Sequence, residues 1–421
     1  MPRRIAGSLF SGFVTQAALA LSGILLARAL GPGDRGYLAL LFLWPTILFQ
    51  LADVGLPIGG AYYISRNPVA AGAIAHSLVV PAVYQAFAIV LLHILVLSWF
   101  LPTRGPEVRL AGLLTLAVGP TLLIQDYVLA ILQGQQRFAT FNMLRTLTPL
   151  LNAAIAVAVW AGRLRLVPAT LLLVVSYSVS GIAALIMLSS GLPRAHTVPE
   201  TPSRRSMLQF GLRSFLGSLY PVENFRIDQV IVGIVLSPAA LGLYVVSLAF
   251  TNFARFTAQS LGMVAYPHIA SQATARLRRA SSWKFFWGGV ALSGAVVAIL
   301  EVAVGPIIPW LFGEAFRQSV PLARILLVAG LLAAARRILA EALKGQGFPL
   351  PTTIAEVASW IAFAGSLALL VSPAGVTGVA ISVVVAAACS LVILLIIDAR
   401  WIDRDREPAD LMNVRELNET Q

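Results

Sequence analysis

The 421 residues are 58% hydrophobic and 11% charged, carry a formal net charge of +12 and include one cysteine. Soluble domains use about 25% charged residues, so this composition excludes an ordinary soluble enzyme. Cys389 alone rules out an internal disulfide or a multi-cysteine metal centre, and the basic residues are spread over short loops, which excludes nucleic acid as a partner.

Blocks of about 20 apolar residues, the length that spans a bilayer as a helix, fill nearly the whole chain. Met1-Pro-Arg-Arg resembles the start of a signal peptide, but the apolar run Ser8 to Leu30 is too long for one and reads as span one. Spans two to six are expected at 36–64, 72–100, 108–132, 139–162 and 166–189. A Pro-rich basic linker, 191–206, separates this N-terminal lobe (1–190) from a C-terminal lobe (207–398). Spans seven to twelve are expected at 207–236, 238–268, 283–312, 318–343, 350–372 and 374–398. A polar tail, 399–421, ends the chain. The fold class is therefore all-α integral membrane, with about twelve transmembrane helices as two parallel six-helix lobes around a central cavity. With the N-terminus in the cytoplasm, cytoplasmic segments hold sixteen Arg/Lys and outer loops six. That bias has the sense of the positive-inside rule and places both termini in the cytoplasm of a cell whose inner membrane holds the protein.

An internal repeat supports the two lobes. Leu30-Gly-Pro-Gly-Asp-Arg-Gly36-Tyr37 precedes span two, and Leu236-Ser-Pro-Ala-Ala-Leu-Gly242-Leu-Tyr244 precedes span eight. Leu, Pro and Gly coincide at a shift of 206 residues. Leu132-Gln-Gly134-Gln135 and Leu343-Lys-Gly345-Gln346 coincide at a shift of 211. Glycine and proline recur in any short loops, but two matches at similar registers favour a true repeat.

Leu26-Ala-Arg28-Ala-Leu30-Gly-Pro-Gly-Asp-Arg-Gly36-Tyr37 resembles the start of bacterial polysaccharide-biosynthesis flippases, members of the multidrug/oligosaccharidyl-lipid/polysaccharide exporter superfamily. Asp53-Val-Gly55-Leu, the loop Leu132 to Phe138, and Asp228 followed by Leu236 to Tyr244 extend the resemblance. It implies flipping of a lipid-linked oligosaccharide by alternating access between two six-helix lobes. Leu243, where a polar or small residue is often seen, departs from the pattern, as does the use of Arg for the intramembrane cations.

A charge at the bilayer centre costs about 2.5–3.5 kcal/mol on insertion scales, so it normally faces a cavity or a partner. The deep charges are Asp53, Asp126, Glu223, Arg226, Asp228, Arg255 and Glu301. On span eight, Tyr244, Thr251, Arg255 and Gln259 follow helical spacing and share one face. Arg255 is the leading expected contact for a diphosphate, because a guanidinium fork grips two oxygens. Pairing of Arg255 with Asp53, Asp228 or Glu301 is the structural alternative. On span two, Thr46, Gln50, Asp53 and Pro57 share a face. On span seven, Glu223 and Arg226 are spaced to pair with each other, leaving Asp228 as the stronger binding candidate. Arg28, near the outer end of span one, either snorkels to the interface or takes part in binding, as the resemblance implies. The substrate-binding set is thus Arg255, Asp228, Gln259, Thr251, Tyr244, Asp53, Gln50, Arg226 and Arg28.

His76, His93, His196 and His268 lack metal-ligand spacing, and no phosphate-cradling glycine loop occurs, so no metal, no cofactor and no enzyme chemistry are expected. The expected partners are a polyprenyl-diphosphate-linked oligosaccharide, membrane lipids, a coupling cation, and a glycan polymerase or ligase of the same pathway. A cation-coupled multidrug exporter of the superfamily is the alternative, and it would want an acidic cavity. A membrane glycan ligase or polymerase is a further alternative, disfavoured by the short outer loops.

Overall fold

Two helical stretches are too long to cross a bilayer once. Phe10–Asp53 has 44 residues and Leu350–Ala399 has 50. At about 1.5 Å per residue each is roughly twice the ~30 Å thickness of the hydrocarbon core, so each holds two spans. Each is broken at a glycine with positive φ. Gly31 (φ 66°, ψ 177°) is followed by Pro32, and Gly375 (φ 54°, ψ −129°) lies two residues after Pro373. Only glycine adopts such angles without strain; Pro32 is suited to start the helix after Gly31, while Pro373 falls at the end of the helix before Gly375.

The computed structural model describes residues 2–189, 203–216, 225–251, 265, 268–269, 272, 274–345 and 350–404. Among the described residues there is no strand, and seven helical stretches are long and apolar enough to span a membrane. Since two of the seven hold a pair of spans, nine spans are accounted for. Spans seven and eight, seen as Ile227–Leu236 and Pro238–Ala249, and span ten, the charge-bearing helix Ser319–Gly345, complete the expected twelve. The chain is an all-α membrane protein.

Three spans differ in detail from the expected uniform helices. Span two stops at Asp53 and restarts as Leu56–Arg66 after Val54 (φ 43°) and Gly55 (φ 76°). Span four is interrupted by a 3-10 turn, Thr115–Ala117, between Pro106–Leu114 and Val118–Gly134. Span seven begins as Arg204–Leu216. It later passes through Arg226 in the left-handed region (φ 48°), a short α-helix Ile227–Ile231 and a π-helical turn Val232–Leu236. Broken backbone at membrane depth is tolerated only where protein groups or a water-filled cavity satisfy it.

Contacts divide the chain into two compact units. One is Met1–Val246 with Pro309–Phe316, and the other is Ser247–Ile308 with Arg317–Gln421. In the first, a core of Leu56, Ile64, Ile74, Leu78, Ile89, Leu123 and Tyr127 also takes in Met207. Span two therefore packs on the start of span seven as well as on spans three and four. Tyr62 stacks on Phe210 with ring centroids 4.0 Å apart.

Two backbone crossings in this unit depend on glycine. A β-carbon on Gly36 would overlap the carbonyl of Pro238, and one on Gly242 would overlap the carbonyl of Pro32. These are the residues that coincide in the repeat, and they meet reciprocally, as equivalents about a local two-fold do. Farther along span two, Gly55 and Gly211 each meet the other's carbonyl in the same reciprocal way.

In the second unit, Phe286, Ala335, Leu339, Leu343, Ala355 and Leu394 form a core joining spans nine to twelve. Ser247 Oγ donates to the carbonyl of Ser319 at 3.0 Å.

Candidate functional site

Sequence spacing puts Tyr244 on a ligand-facing stripe, but the structure assigns its hydroxyl a protein partner. Tyr244 is fully buried, and its Oη donates to Asp228 Oδ2 at 2.8 Å. Asp228 is 1% exposed, and its Oδ1 has no hydrogen-bond partner among the described residues. The turn at Ser237 makes this pairing possible. Ser237 is extended (φ −167°), its Oγ accepts from the Ala240 N–H at 3.1 Å, and Pro238 starts span eight back along span seven.

Arg226 precedes Asp228 at the left-handed break, is exposed, and its charge acts on both Asp228 and Tyr177. Beside Tyr177, Ser176 Oγ donates to Asn152 Oδ1. Tyr177 of span six and Tyr244 of span eight therefore meet the polar groups at the broken part of span seven. The expected Glu223 partner of Arg226 lies outside the described residues.

A second polar cluster closes the break in span two. Gln85 on span three donates from Nε2 to the carbonyls of Ala52 (2.8 Å) and Asp53 (3.4 Å), while its Oε1 accepts from Tyr127 Oη at 2.6 Å. Asp126, next to Tyr127, is the charged neighbour of Asp53. Asp53 Oδ1 and Gln50 Oε1 are buried with no hydrogen-bond partner among the described residues. Thr46 is satisfied locally, donating to the Phe42 carbonyl at 2.8 Å. The expected continuous face through Pro57 is interrupted, because the helix breaks between Asp53 and Leu56.

The other sequence candidates are as follows. Thr251 in the second unit is 7% exposed and donates to the Leu248 carbonyl at 2.7 Å. Arg255 and Gln259 lie outside the described residues. Glu301 faces Arg324 of span ten at 4.0 Å. Arg28 is exposed and its Nη2 donates to the Trp310 carbonyl at 2.7 Å.

Sequence reasoning missed the tightest buried ion pair among the described residues. Arg336 Nη1 donates to Glu356 Oε2 at 2.6 Å, with side chains 10% and 12% exposed. The signal was present: Arg336 and Arg337 interrupt the apolar run Leu331–Leu339, and Glu356 stands six residues into span eleven.

A bundle of broken membrane helices with buried carboxylates at the breaks is an architecture that membrane transporters use. Comparison with solved structures agrees. The inward-facing structure of a multidrug resistance MATE family transporter of the MOP superfamily superposes with a TM-score of 0.75 at 16% identity, covering 96% of this chain and 99% of that one. An outward-facing structure of such a transporter gives 0.63 at 18% identity, covering 95% and 94%. The MATE multidrug transporter DinF-BH gives 0.65 at 16% identity, covering 94% of each chain. At these identities the likeness establishes the fold. No curated protein matches the chain. The family model for polysaccharide biosynthesis proteins matches residues 4–273, and the chain belongs to that family.

Proposed function

We propose that this protein is a flippase that carries a lipid-diphosphate-linked oligosaccharide across the cytoplasmic membrane by alternating access, for export of a cell-surface polysaccharide. The observation that carries this reading is the polysaccharide-biosynthesis family match over 4–273 on a transporter fold. The two parallel six-helix lobes, with both termini in the cytoplasm, supply the alternation. The cargo headgroup is anionic. Its exit from a negative-inside cell is favoured by about 2.3 kcal/mol per charge per 100 mV. A cation moving through a membrane carboxylate supplies further drive. Asp53 and Asp228, each with a buried carboxylate oxygen lacking a described partner, are the groups proposed for it. Arg255 is proposed to take the diphosphate, with Arg226, Gln50 and Gln259 as polar contacts along the path; Tyr244, bonded to Asp228, and Thr251, bonded to its own helix, support them from behind.

The test is reconstitution into proteoliposomes with a polyprenyl-diphosphate-linked oligosaccharide, followed by a sidedness assay with an impermeant glycan-modifying enzyme. Protein-dependent exposure of the glycan on the opposite leaflet is the expected result. Failure to move any such lipid, together with counter-transport of a cationic drug, would replace this reading with the multidrug exporter.

A further inference from the structure

Span nine starts earlier than its apolar block. The block is expected from residue 283, but the helix runs Ala275–Phe312, so it projects eight residues, about 12 Å, beyond the hydrocarbon. Thr274 Oγ1 accepts from the Leu277 N–H at 3.3 Å and caps this start, and the first turn holds no acid. Lys284 is the last charged residue before Glu301, with sixteen uncharged residues between them. Lys284 therefore marks the headgroup level, where long basic side chains reach out of the membrane.

One side of this helix is exposed and basic. At about 100° per residue, Arg276, Ala280, Lys284 and Trp287 fall within roughly 80° of one another, and all four are exposed. Deeper in the membrane the same side continues as exposed Ala291, Ala298 and Val302, an apolar strip that suits an acyl chain. Trp287 is 62% exposed and is steadied by stacking on Trp283, with ring centroids 6.2 Å apart. Trp283 in turn hydrogen-bonds to the Asp398 carboxylate.

The cations of this stripe are not neutralised by the acids nearby. Asp398 is 1% exposed and is engaged by Trp283 and the charge of Arg279, while Glu341 pairs with Lys344 at 3.0 Å. Neither Arg276 nor Lys284 has an ion-pair partner among the described residues. Side chains on a helix lean toward its N-terminus, so Lys284 rises toward Ala280, with Arg276 one turn farther out. The methyl of Ala280 leaves a notch between two cations, with an indole at its deep end.

We infer that this notch holds the phosphate of an anionic phospholipid that lacks an amine, such as phosphatidylglycerol. Arg276 and Lys284 contact the phosphodiester, Trp287 packs on the glycerol, and one acyl chain follows the strip through Ala291 and Val302. An ethanolamine or choline headgroup brings its own positive charge to two cations with no free acid beside them, so those lipids bind more weakly. The inference concerns a lipid of the surrounding bilayer and does not depend on the flippase reading.

The test uses the full-length protein, delipidated in detergent, with thermal unfolding followed while phosphatidylglycerol, phosphatidylethanolamine or phosphatidylcholine of identical chains is titrated in. Phosphatidylglycerol should stabilise saturably and at least tenfold more tightly than the other two. Arg276→Gln combined with Lys284→Gln changes two exposed side chains, should fold normally and should lose that preference. Arg276→Lys combined with Lys284→Arg keeps both charges and should retain it. Arg204→Gln combined with Arg205→Gln removes two exposed cations of the first unit and should leave it unchanged. Equal stabilisation by the three lipids, or a preference that survives the Arg276→Gln and Lys284→Gln pair, would overturn the assignment. So would an equal loss in the Arg204→Gln and Arg205→Gln pair, which would give the preference to total basic charge and not to this notch.

Discussion

Gly242→Ala tests the reciprocal crossing of spans two and eight most directly. Gly242 has an ordinary helical environment with no positive φ, so the added methyl would normally help, by about 0.5–1 kcal/mol from the helix preference of alanine over glycine. Here the new β-carbon overlaps the Pro32 carbonyl and also comes within 3.2 Å of the Gly36 nitrogen. Both obstacles are main chain and cannot rotate away. Overpacking of that kind costs about 1–3 kcal/mol, which leaves a net loss on the order of 1–2 kcal/mol. At about 2–4 °C per kcal/mol the melting midpoint should fall by roughly 2–8 °C. The control is Gly23→Ala, where nothing lies within 4 Å of the new carbon, and which should melt at or above the parent. Because the crossing is mutual, Gly36→Ala combined with Gly242→Ala should cost less than the two singles added together, since the first substitution already separates the backbones. The assay is thermal unfolding of purified protein in one detergent. A Gly242→Ala midpoint matching that of Gly23→Ala, or strict additivity in the double variant, would refute the reciprocal packing.

Other outcomes follow from the buried polar contacts and the charge bias. Arg336→Ala removes the 2.6 Å contact to the Glu356 carboxylate in the spans ten–eleven contact and should lower the melting midpoint, while Arg336→Leu with Glu356→Leu should recover most of the loss in the same melt. Tyr244→Phe removes the hydroxyl that donates to Asp228 and should destabilise by about 1.5–3 kcal/mol; Asp228→Asn keeps an acceptor for that hydroxyl and should cost less, and a larger loss from Asp228→Asn would argue against this pairing as the stabilising contact. Reporter fusions after Arg137, Arg204 and Arg279 should read cytoplasmic and those after Arg104 and Arg163 external, and one reproducible inversion would break the six-plus-six order.

The spans were legible because their length is set by the bilayer and not by contacts within the protein. Apolar blocks therefore mark them even where the structure runs two together, as at Gly31 and Gly375. The repeat was legible because close backbone approach leaves a chemical trace, a glycine at each of two equivalent places. The breaks at Val54 and Arg226 were hidden. Neither valine nor arginine favours a positive φ, and the preference that placed them there comes from packing on other spans. Tyr244 shows the same limit in the polar groups. Helical periodicity says which residues share a face, but Asp228 reaches that face only because the chain reverses at Ser237. Arg336 and Glu356 stand twenty residues apart on two different spans, and such a pair has no local signature in the sequence.

The Gln85 contacts have a mechanical consequence. The carbonyls freed at the end of the Asp53 segment are capped from span three, and Gln85 is in turn held by Tyr127 of span four. The segment beyond the break, Leu56–Arg66, also packs on spans three and four and is in addition pressed backbone to backbone on the helix Arg204–Leu216 through Gly55, Gly59 and Gly211. Span two is thus a jointed rod whose limbs share spans three and four, while the second limb alone is also bolted to the start of span seven. Bending at the joint leaves the Gln85 cap intact only if spans three and four travel with the first limb. A twist that tore the first limb from them would bare carbonyls to hydrocarbon, at several kcal/mol each.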